Sequence, residues 1–384
     1  MKVAISVGGR FHLFNLAQQL LKRGLLSQLI TSYPKFEVMK YEIPREKIDS
    51  VIVKEIFERG WKKLPSFLQN LYNPQFCIHE VFDKIAFRHL VRADIVVGGS
   101  SMFLHTLQKA KNAGSVAIVE HGSSHIVFQN NILEEEYRRF NVKIRPFYLP
   151  HPKIIEKELK EYEEADYISI PSQFVKRTFL EKGIPESKLI QVPYGVDLSQ
   201  FRQVPKTDKV FRVVFAGGIS LRKGVPYLLH AFEELNLPNS ELLLVGGIND
   251  EMAPFLKKHE GKFKWVGRVP QANLYKYYSQ SSVFVLPSIE EGLAMVQLQA
   301  MACGLPVIAT TNTGAEDVVR DEKDGFIIPI RNVEVLKSKI LYLYEHPEER
   351  ELMGRFAKEH VASGFTWSDY GEKMINEYGK VLKE

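Results

Sequence analysis

Two basic side chains, Arg222 and Lys223, directly precede a predicted helix in the segment 215–224. A predicted strand and the turn Gly217-Gly218 come before them. Fixed cations beside a helix N-terminus suit a diphosphate, because the cations neutralise its charge while the helix amides donate hydrogen bonds. The segment therefore predicts an anion-binding turn, with a solvated basic turn as the alternative.

The segment 286–310 is the richest in residues that could do chemistry, and it is typical of a strand, a loop, a helix and a second strand. Glu290, Glu291 and Gly292 open the predicted helix, and Gln299 follows Glu291 by eight residues. Eight residues are a little over two helical turns, so Glu291 and Gln299 are expected on one helix face. The alternative for Glu291 is an acidic residue that complements the helix dipole.

Two further candidates follow predicted strands in the first half of the chain. His121 follows the strand at 116–119, and Gly8-Gly9 follow the strand at 3–7. Ligands of open parallel sheets bind beyond these carboxyl ends. His121 is a candidate to hydrogen-bond to a substrate hydroxyl or to accept its proton, and Gly9 would let the backbone approach a ligand. The alternatives are a histidine bonded to loop backbone and a glycine turn that is only a tight connection.

Short apolar strands alternate with helical patterns along the chain, which indicates an α/β protein with parallel sheets. After Gly98-Gly99, Ser100 is the expected N-cap of a helix that reaches about residue 113. No order is predicted for residues 35–92. The predicted strands lie at 3–7, 94–97, 116–119, 167–170, 211–215, 242–245, 264–266, 283–286, 307–309 and 326–329.

Proline, glycine and polar residues interrupt this pattern near residues 193–209. The break predicts two doubly wound, Rossmann-like domains, 1–195 and 196–365, with a cleft between them. Residues 366–384 are predicted as a helix that packs back on the first domain.

The segment 286–310 resembles the retaining glycosyltransferases of family 4, the group 1 glycosyltransferases with the GT-B fold. Its matching residues align with the family's Glu-x7-Glu stretch, and weaker matches occur along nearly the whole chain, most of them in the second half. The stretch is present as Pro287-Ser288, Glu291-Gly292, Gln299-Ala300-Met301-Ala302-Cys303-Gly304 and Leu305-Pro306-Val307. The other matches are Gly8-Gly9, His121, Pro193-Tyr194-Gly195-Val196-Asp197, Phe201, Lys223-Gly224, Gly267-Arg268-Val269, Thr313-Gly314-Ala315-Glu316, Asp324-Gly325 and Phe365-Thr366-Trp367.

This resemblance implies transfer of a sugar from a nucleotide-diphosphate-sugar to an acceptor hydroxyl, with retention at the anomeric carbon. It implies that the first domain binds the acceptor, that the second binds the donor, and that His121 and Glu291 are catalytic. The sequence contains no Asp-x-Asp tripeptide. No metal and no other cofactor is therefore expected, and Arg222, Lys223 and helix amides would stabilise the departing diphosphate. The implied donor-binding residues are Gly9, Arg222, Lys223, Arg268, Leu293, Ala294, Met295 and Gln299.

Two positions depart from the family pattern. Gln299 stands where the family has a second glutamate that binds ribose hydroxyls, and its amide can still hydrogen-bond to them. Gly218 stands where the family has an arginine, for which Arg222 is a candidate replacement. These departures leave a catalytically inactive binding subunit as one alternative. A nucleotide-sugar epimerase is another alternative. A nicotinamide oxidoreductase is weakly supported because none of these Gly-Gly turns completes G-x-G-x-x-G.

The composition indicates where the protein is located and which partners it can bind. A net charge of +5 is too small to argue for nucleic acid, and no apolar run approaches the ~18 residues of a spanning helix. Cys77 and Cys303 lie far apart, which favours a reducing cytoplasm over a disulfide or zinc framework, and Cys303 is expected in the core. A peripheral membrane contact for a lipid-linked acceptor is a further hypothesis, with ordinary core packing as its alternative. It is based on basic and apolar residues between 57 and 76: Arg59, Trp61, Lys62, Lys63, Phe67, Leu68, Leu71 and Tyr72.

Overall fold

The structure is a computed structural model that describes residues 1–9, 12–65, 68 and 72–383. Within these residues the strands form two parallel sheets, one in each half of the chain. The strands of the first sheet are β1 (Val3–Val7), β2 (Leu26–Thr31), β3 (Ile48–Ser50), β4 (Ile95–Gly99), β5 (Val116–Glu120), β6 (Tyr167–Ile170) and β7 (Leu189–Gln191). The strands of the second are β8 (Phe211–Ala216), β9 (Ser240–Val245), β10 (Lys264–Gly267), β11 (Val283–Leu286), β12 (Val307–Thr310) and β13 (Gly325–Ile328).

The strand orders are those of two doubly wound sheets, as predicted. The first order is β3-β2-β1-β4-β5-β6-β7 and the second is β10-β9-β8-β11-β12-β13. In both sheets the order reverses beside the first strand of the domain, and such a reversal opens a crevice at the carboxyl ends of the strands. All five residues of β1 are buried, as expected for a strand with helices on both faces.

Helices flank both sheets. Those of the first half are α1 (Leu13–Lys22), α2 (Lys35–Val38), α3 (Val53–Lys62), α4 (Gln75–His89), α5 (Leu104–Asn112), α6 (Ile126–Arg139), α7 (Pro152–Glu164) and α8 (Gln173–Leu180). Those of the second half are α9 (Val225–Leu235), α10 (Ala253–Lys258), α11 (Leu274–Ser279), α12 (Met295–Ala302), α13 (Val333–Glu345), α14 (Pro347–Ala362) and α15 (Trp367–Val381). No described helix is both long and apolar enough to cross a lipid bilayer.

The chain crosses between the two sheets twice, and the crossings lie side by side. The amide of Val196 donates to the carbonyl of Phe365 at 2.8 Å, and Val196 pairs with Thr366. Helix α15 then returns to the first domain and lies on α1, where Gly371 packs directly against Gln19.

The expected N-cap at Ser100 is wrong. Helix α5 begins later, and Phe103, which makes no side-chain cap, stands at its N-cap. A carboxylate from another helix does the capping: Glu161 accepts hydrogen bonds from the amides of Ser101 and Phe103 at 2.6 and 2.9 Å. The carboxylate of Glu161, which is distant in sequence, thus replaces the side chain of Ser100 as the capping acceptor.

Candidate functional site

A cleft of about 1570 Å³ opens between the carboxyl ends of the two sheets. The predicted residues His121, Leu293, Met295 and Gln299 line it, together with the buried Glu120. Small-molecule sites typically span about 300–1000 Å³, so this cleft is larger than one such site.

The turn that carries Lys223 packs tightly against the loop after β11. Gly224 has φ +64°, and a Cβ there would lie 1.9 Å from the carbonyl oxygen of Pro287, so only glycine fits without a backbone shift. This packing places Lys223 against Glu291, and Lys223 Nζ forms an ion pair with Glu291 Oε1. The two side chains are 21% and 12% exposed, so the pair remains accessible to a charged ligand.

Arg222 forms a second ion pair, with the fully buried Glu290. Its Nη2 lies 2.8 Å from Glu290 Oε2, and its Nε donates to the Glu290 carbonyl at 3.1 Å. The other Glu290 oxygen accepts from the amide and hydroxyl of Ser124 at 3.0 and 2.7 Å, and Oε2 accepts from Gln129 at 3.0 Å. Burial would raise the pKa of Glu290, but Arg222 and these hydrogen bonds hold it below its ordinary value. The carboxylate of Glu290 therefore balances the positive charge of Arg222 within the interface between the domains.

Helix α12 begins later than the sequence predicts. Glu291 lies in the loop before it, because the helix starts at Met295 with Ala294 as N-cap, so the prediction that Glu291 and Gln299 share a helix face is wrong. The Ala294 amide donates to the Thr313 carbonyl at 3.2 Å. Among the described residues, the amides of Leu293 and Met295 have no acceptor, which leaves them available at the helix N-terminus.

Gln299 presents an unused acceptor in this cleft. Its side chain is buried, and its Oε1 has no hydrogen-bond partner within the described part of the chain. A buried acceptor without a partner costs free energy that a hydroxyl-bearing ligand would recover.

His121 lies on the opposite side of the cleft, in the first domain. Its Nε2 donates to the Ser124 carbonyl at 3.0 Å, and its Nδ1 lies 3.4 Å from the hydroxyl of Tyr162. The hydroxyl of Tyr162 donates to Glu158 at 2.6 Å. Burial raises the pKa of Glu158, while His121 and Tyr162 oppose the rise. Loop backbone thus holds His121, as the alternative interpretation expected, while its ring also faces the cleft.

The domains touch directly beside these residues. A Cβ on Gly292 would lie 1.9 Å from the carbonyl oxygen of Gly122, so the glycine after Glu291 permits this close approach. Because Gly122 follows His121, the contact brings the loops of the two predicted catalytic residues together.

Gly9 and Arg268 are the two remaining predicted donor-binding residues. Gly9 is buried in the loop after β1, next to Gly8 in the cleft wall. Arg268 follows β10, and its Nε lies 2.5 Å from the position that a Cβ on Gly247 would take.

Sequence analysis assigned no role to three residues in the wall of the cleft. His12, Glu120 and Tyr194 line it, and His12 Nε2 lies 2.8 Å from Glu120 Oε1. An acidic residue at the end of a buried strand, directly before His121, was the signal that could have identified Glu120.

One cluster in the described chain has the composition of a metal site, with Glu80, Asp83 and His105 close together. An ammonium group already pairs with both carboxylates, because Lys157 Nζ lies 3.0 Å from Glu80 and 2.7 Å from Asp83. Cys303 is buried, and burial raises its thiol pKa to about 12, as a core cysteine requires.

Comparisons with known proteins agree with this architecture. The family "Glycosyltransferase Family 4" matches residues 8–200, and "Glycosyl transferases group 1" matches residues 197–360. A GDP-mannose-dependent monoacylated α-(1-6)-phosphatidylinositol monomannoside mannosyltransferase of Corynebacterium glutamicum is 25% identical over 236 residues, which are 56% of this chain and 62% of that protein.

Two solved structures share the fold over almost the entire chain. Sucrose-phosphate synthase from Thermosynechococcus elongatus superposes with a TM-score of 0.74 at 18% identity, covering 100% of both chains. The Anabaena protein HepE, in complex with UDP-glucose, superposes with a TM-score of 0.72 at 14% identity, covering 99% of this chain and 100% of that one. From its family matches and its two doubly wound domains, the chain belongs to the group 1 glycosyltransferases of family 4, with the GT-B fold.

Proposed function

We propose that this protein transfers a hexosyl group from a nucleotide-diphosphate-sugar to an acceptor hydroxyl, with retention at the anomeric carbon and without a metal ion. The observation that carries the proposal is the Lys223–Glu291 ion pair beside the cleft, next to the point where Gly292 meets the loop of His121. The Lys223–Glu291 pair does not itself line the cleft, but Gly292 joins it to the loop of His121, which does.

The donor-binding half of the proposal depends on the second domain. Lys223 neutralises the diphosphate, and the amides of Leu293 and Met295 donate to its oxygens. The unpartnered Gln299 Oε1 accepts a hydrogen bond from a ribose hydroxyl. The Anabaena protein HepE, which shares this fold, was solved with UDP-glucose, and this supports a donor of the same chemical class.

Charge accumulates on the leaving diphosphate as the glycosidic bond breaks, so fixed positive charge must already be present there. In this proposal Lys223 and the helix amides supply it, and Arg222 contributes indirectly by fixing Glu290 and the adjacent loop. Glu291 binds hydroxyls of the transferred sugar, and His121 positions the sugar from the opposite side. Retention at the anomeric carbon rests on family membership.

The test is diphosphate release from a panel of nucleotide-sugars by purified protein, with EDTA in parallel. The proposal expects release from at least one donor, unchanged by EDTA and reduced at least about 100-fold in Lys223→Ala and Glu291→Ala. Lys262→Ala, an exposed lysine of the same domain, is the matched control and should behave as wild type. Donor binding without turnover on a broad acceptor panel would instead indicate the inactive binding subunit.

We also propose that the protein works in the cytoplasm and contacts the inner face of the membrane through helix α3. Ile56 and Phe57 on this helix are 63% and 58% exposed. Arg59, which pairs with Glu55 at 3.3 Å, and Lys63 are exposed beside them. Exposed apolar side chains flanked by cations suit an anionic lipid surface. Phe67 and Leu71 of the same predicted region lie outside the described residues.

Flotation with phosphatidylglycerol vesicles tests this contact, with phosphatidylcholine vesicles for comparison. Wild type should float with the anionic vesicles only, and the double variant Ile56→Ser, Phe57→Ser should stay in solution. Val91→Ser, which removes another exposed apolar side chain, is the control. Equal flotation of all three proteins would reject the assignment to α3.

A further inference from the structure

Glu120 is a buried carboxylate in which one oxygen has a hydrogen-bond partner and the other has none in the described chain. It ends strand β5 in the wall of the cleft and is only 4% exposed. Its Oε1 accepts a hydrogen bond from His12 Nε2 at 2.8 Å. Its Oε2 has no partner within residues 1–9, 12–65, 68 and 72–383. A buried carboxylate oxygen without a donor is costly, and a hydroxyl-bearing ligand in the cleft can supply that donor.

Tyr194 adds a second unsatisfied group to the same wall. It is 4% exposed, its ring stacks on that of His12 at 4.1 Å between centroids, and its hydroxyl has no partner in the described chain. Burial, and then the nearby Glu120 charge, raise the pKa of the Tyr194 phenol, so it keeps its proton. A Cβ on Gly122 would lie 3.2 Å from this hydroxyl, which places it beside the His121 loop.

The ring stack gives these groups fixed positions. His12 precedes α1, Tyr194 precedes the chain crossing at Val196, and both rings also contact Tyr370 of α15 edge-on, at centroid distances of 6.3 and 6.0 Å. Three separate parts of the chain therefore hold one carboxylate oxygen and one phenol at the wall of the cleft.

The chemistry of this pair selects its ligand. The free carboxylate oxygen only accepts, and the phenol both donates and accepts. Neighbouring hydroxyls of a sugar or cyclitol can donate to Glu120 and exchange a hydrogen bond with Tyr194. A phosphate or carboxylate group at this point would meet the Glu120 charge and be repelled.

We propose that Glu120 and Tyr194 form a binding site for an uncharged, hydroxyl-rich acceptor, with His12 as the positioning residue that holds Glu120. The proposal deepens the proposed function and rests on it, because the site shares the cleft with the donor-binding half. The role assigned here is binding of the acceptor hydroxyls and not bond making.

The experiment measures binding of four neutral probes to the full chain by saturation-transfer NMR and titration, in the presence of saturating UDP or GDP, whichever binds. The probes are methyl α-D-mannopyranoside, methyl α-D-glucopyranoside, the methyl glycoside of N-acetylglucosamine and myo-inositol. The variants are Tyr194→Phe, which removes a hydroxyl that has no protein partner, and Glu120→Gln, which replaces the free acceptor with a donor. Tyr278→Phe is the matched control, because that buried phenol is also unpartnered in the described chain but does not line the cleft.

We expect at least one probe to bind wild type and Tyr278→Phe equally, and to bind about tenfold or more weakly to Tyr194→Phe and Glu120→Gln. Melting temperatures of the two tyrosine variants should match wild type, which separates a binding effect from misfolding. Equal probe affinity in Tyr194→Phe and Tyr278→Phe would overturn the proposal, as would binding of none of the probes by protein that binds the nucleoside diphosphate. Failure to bind any nucleoside diphosphate would instead count against the proposed function.

Discussion

Replacing Glu290 with alanine should destabilise the contact between the domains. Glu290 is fully buried and joins Arg222 of its own domain to Ser124 and Gln129 of the other. Removing one partner of a buried ion pair leaves the other charge and its donors unsatisfied, which typically costs about 3–5 kcal/mol. Because the Arg222 side chain is 35% exposed and water can replace part of its partner, we expect about 3 kcal/mol, at the lower end.

Calorimetric melting measures this effect directly. For domains of this size about 3 kcal/mol lowers the melting temperature by roughly 6–12 °C. Glu290→Gln should lose about half as much, because its carbonyl still accepts from Ser124. The exposed Glu260→Ala is the control, expected within about 0.5 kcal/mol of wild type.

The dependence of folding stability on pH in the acidic range provides an independent check. The pKa of Glu290 lies below its ordinary 4.5 in the folded protein, so its contribution is present above pH 4.5 and is lost as the pH falls through the folded value. Glu290→Gln should lack this part of the acid dependence. If Glu290→Ala had the same melting temperature as Glu260→Ala at every pH, the assignment of Glu290 to the interface would be refuted.

Three further outcomes are expected. Gln299→Leu should weaken nucleoside diphosphate binding about tenfold. Gln299→Glu should bind about as well as wild type, because it keeps an acceptor at that position. Isothermal titration measures the two affinities. Gly292→Ala should lower diphosphate release at least about 100-fold by forcing the loops of the two domains apart, whereas Gly364→Ala, which meets nothing within 4 Å, should not. Burial raises the pKa of Asp317 to about 6, although hydrogen bonds from Gln173 and Gln191 oppose the rise. The contribution of Asp317 to stability is therefore greatest below pH 3.8 and is lost as the pH rises through 6. Urea unfolding of wild type and Asp317→Asn should therefore give a stability difference that changes between pH 4 and 7, and a constant difference would contradict that pKa.

The strands that sequence analysis located are those whose residues are continuously apolar. Strands β1 and β11 are buried along their whole length, and their predicted bounds match the structure. Strand β2 was missed because Ser27 and Gln28 interrupt its apolar pattern; the Gln28 amide donates to Asp49 of β3 at 2.5 Å. Strand β3 has only three residues, too few for a periodic signal.

Residue identities at the site were easier to predict than their contacts. The motif places two glutamates in succession, and no periodicity shows that Glu290 pairs with Arg222 while Glu291 pairs with Lys223. That choice depends on the packing of Gly224 against the loop after β11, a contact remote in sequence. The Glu120 site likewise requires side chains from separate parts of the chain, so only the folded protein shows it.

The most direct test of the central claim is isothermal titration of UDP and GDP into wild type and Lys223→Ala. A cleft that holds a nucleoside diphosphate through a fixed lysine predicts that at least one of the two binds wild type, and that its affinity falls at least about tenfold in the variant. Equal affinity in both proteins, or binding of neither nucleotide to wild type, would contradict the account.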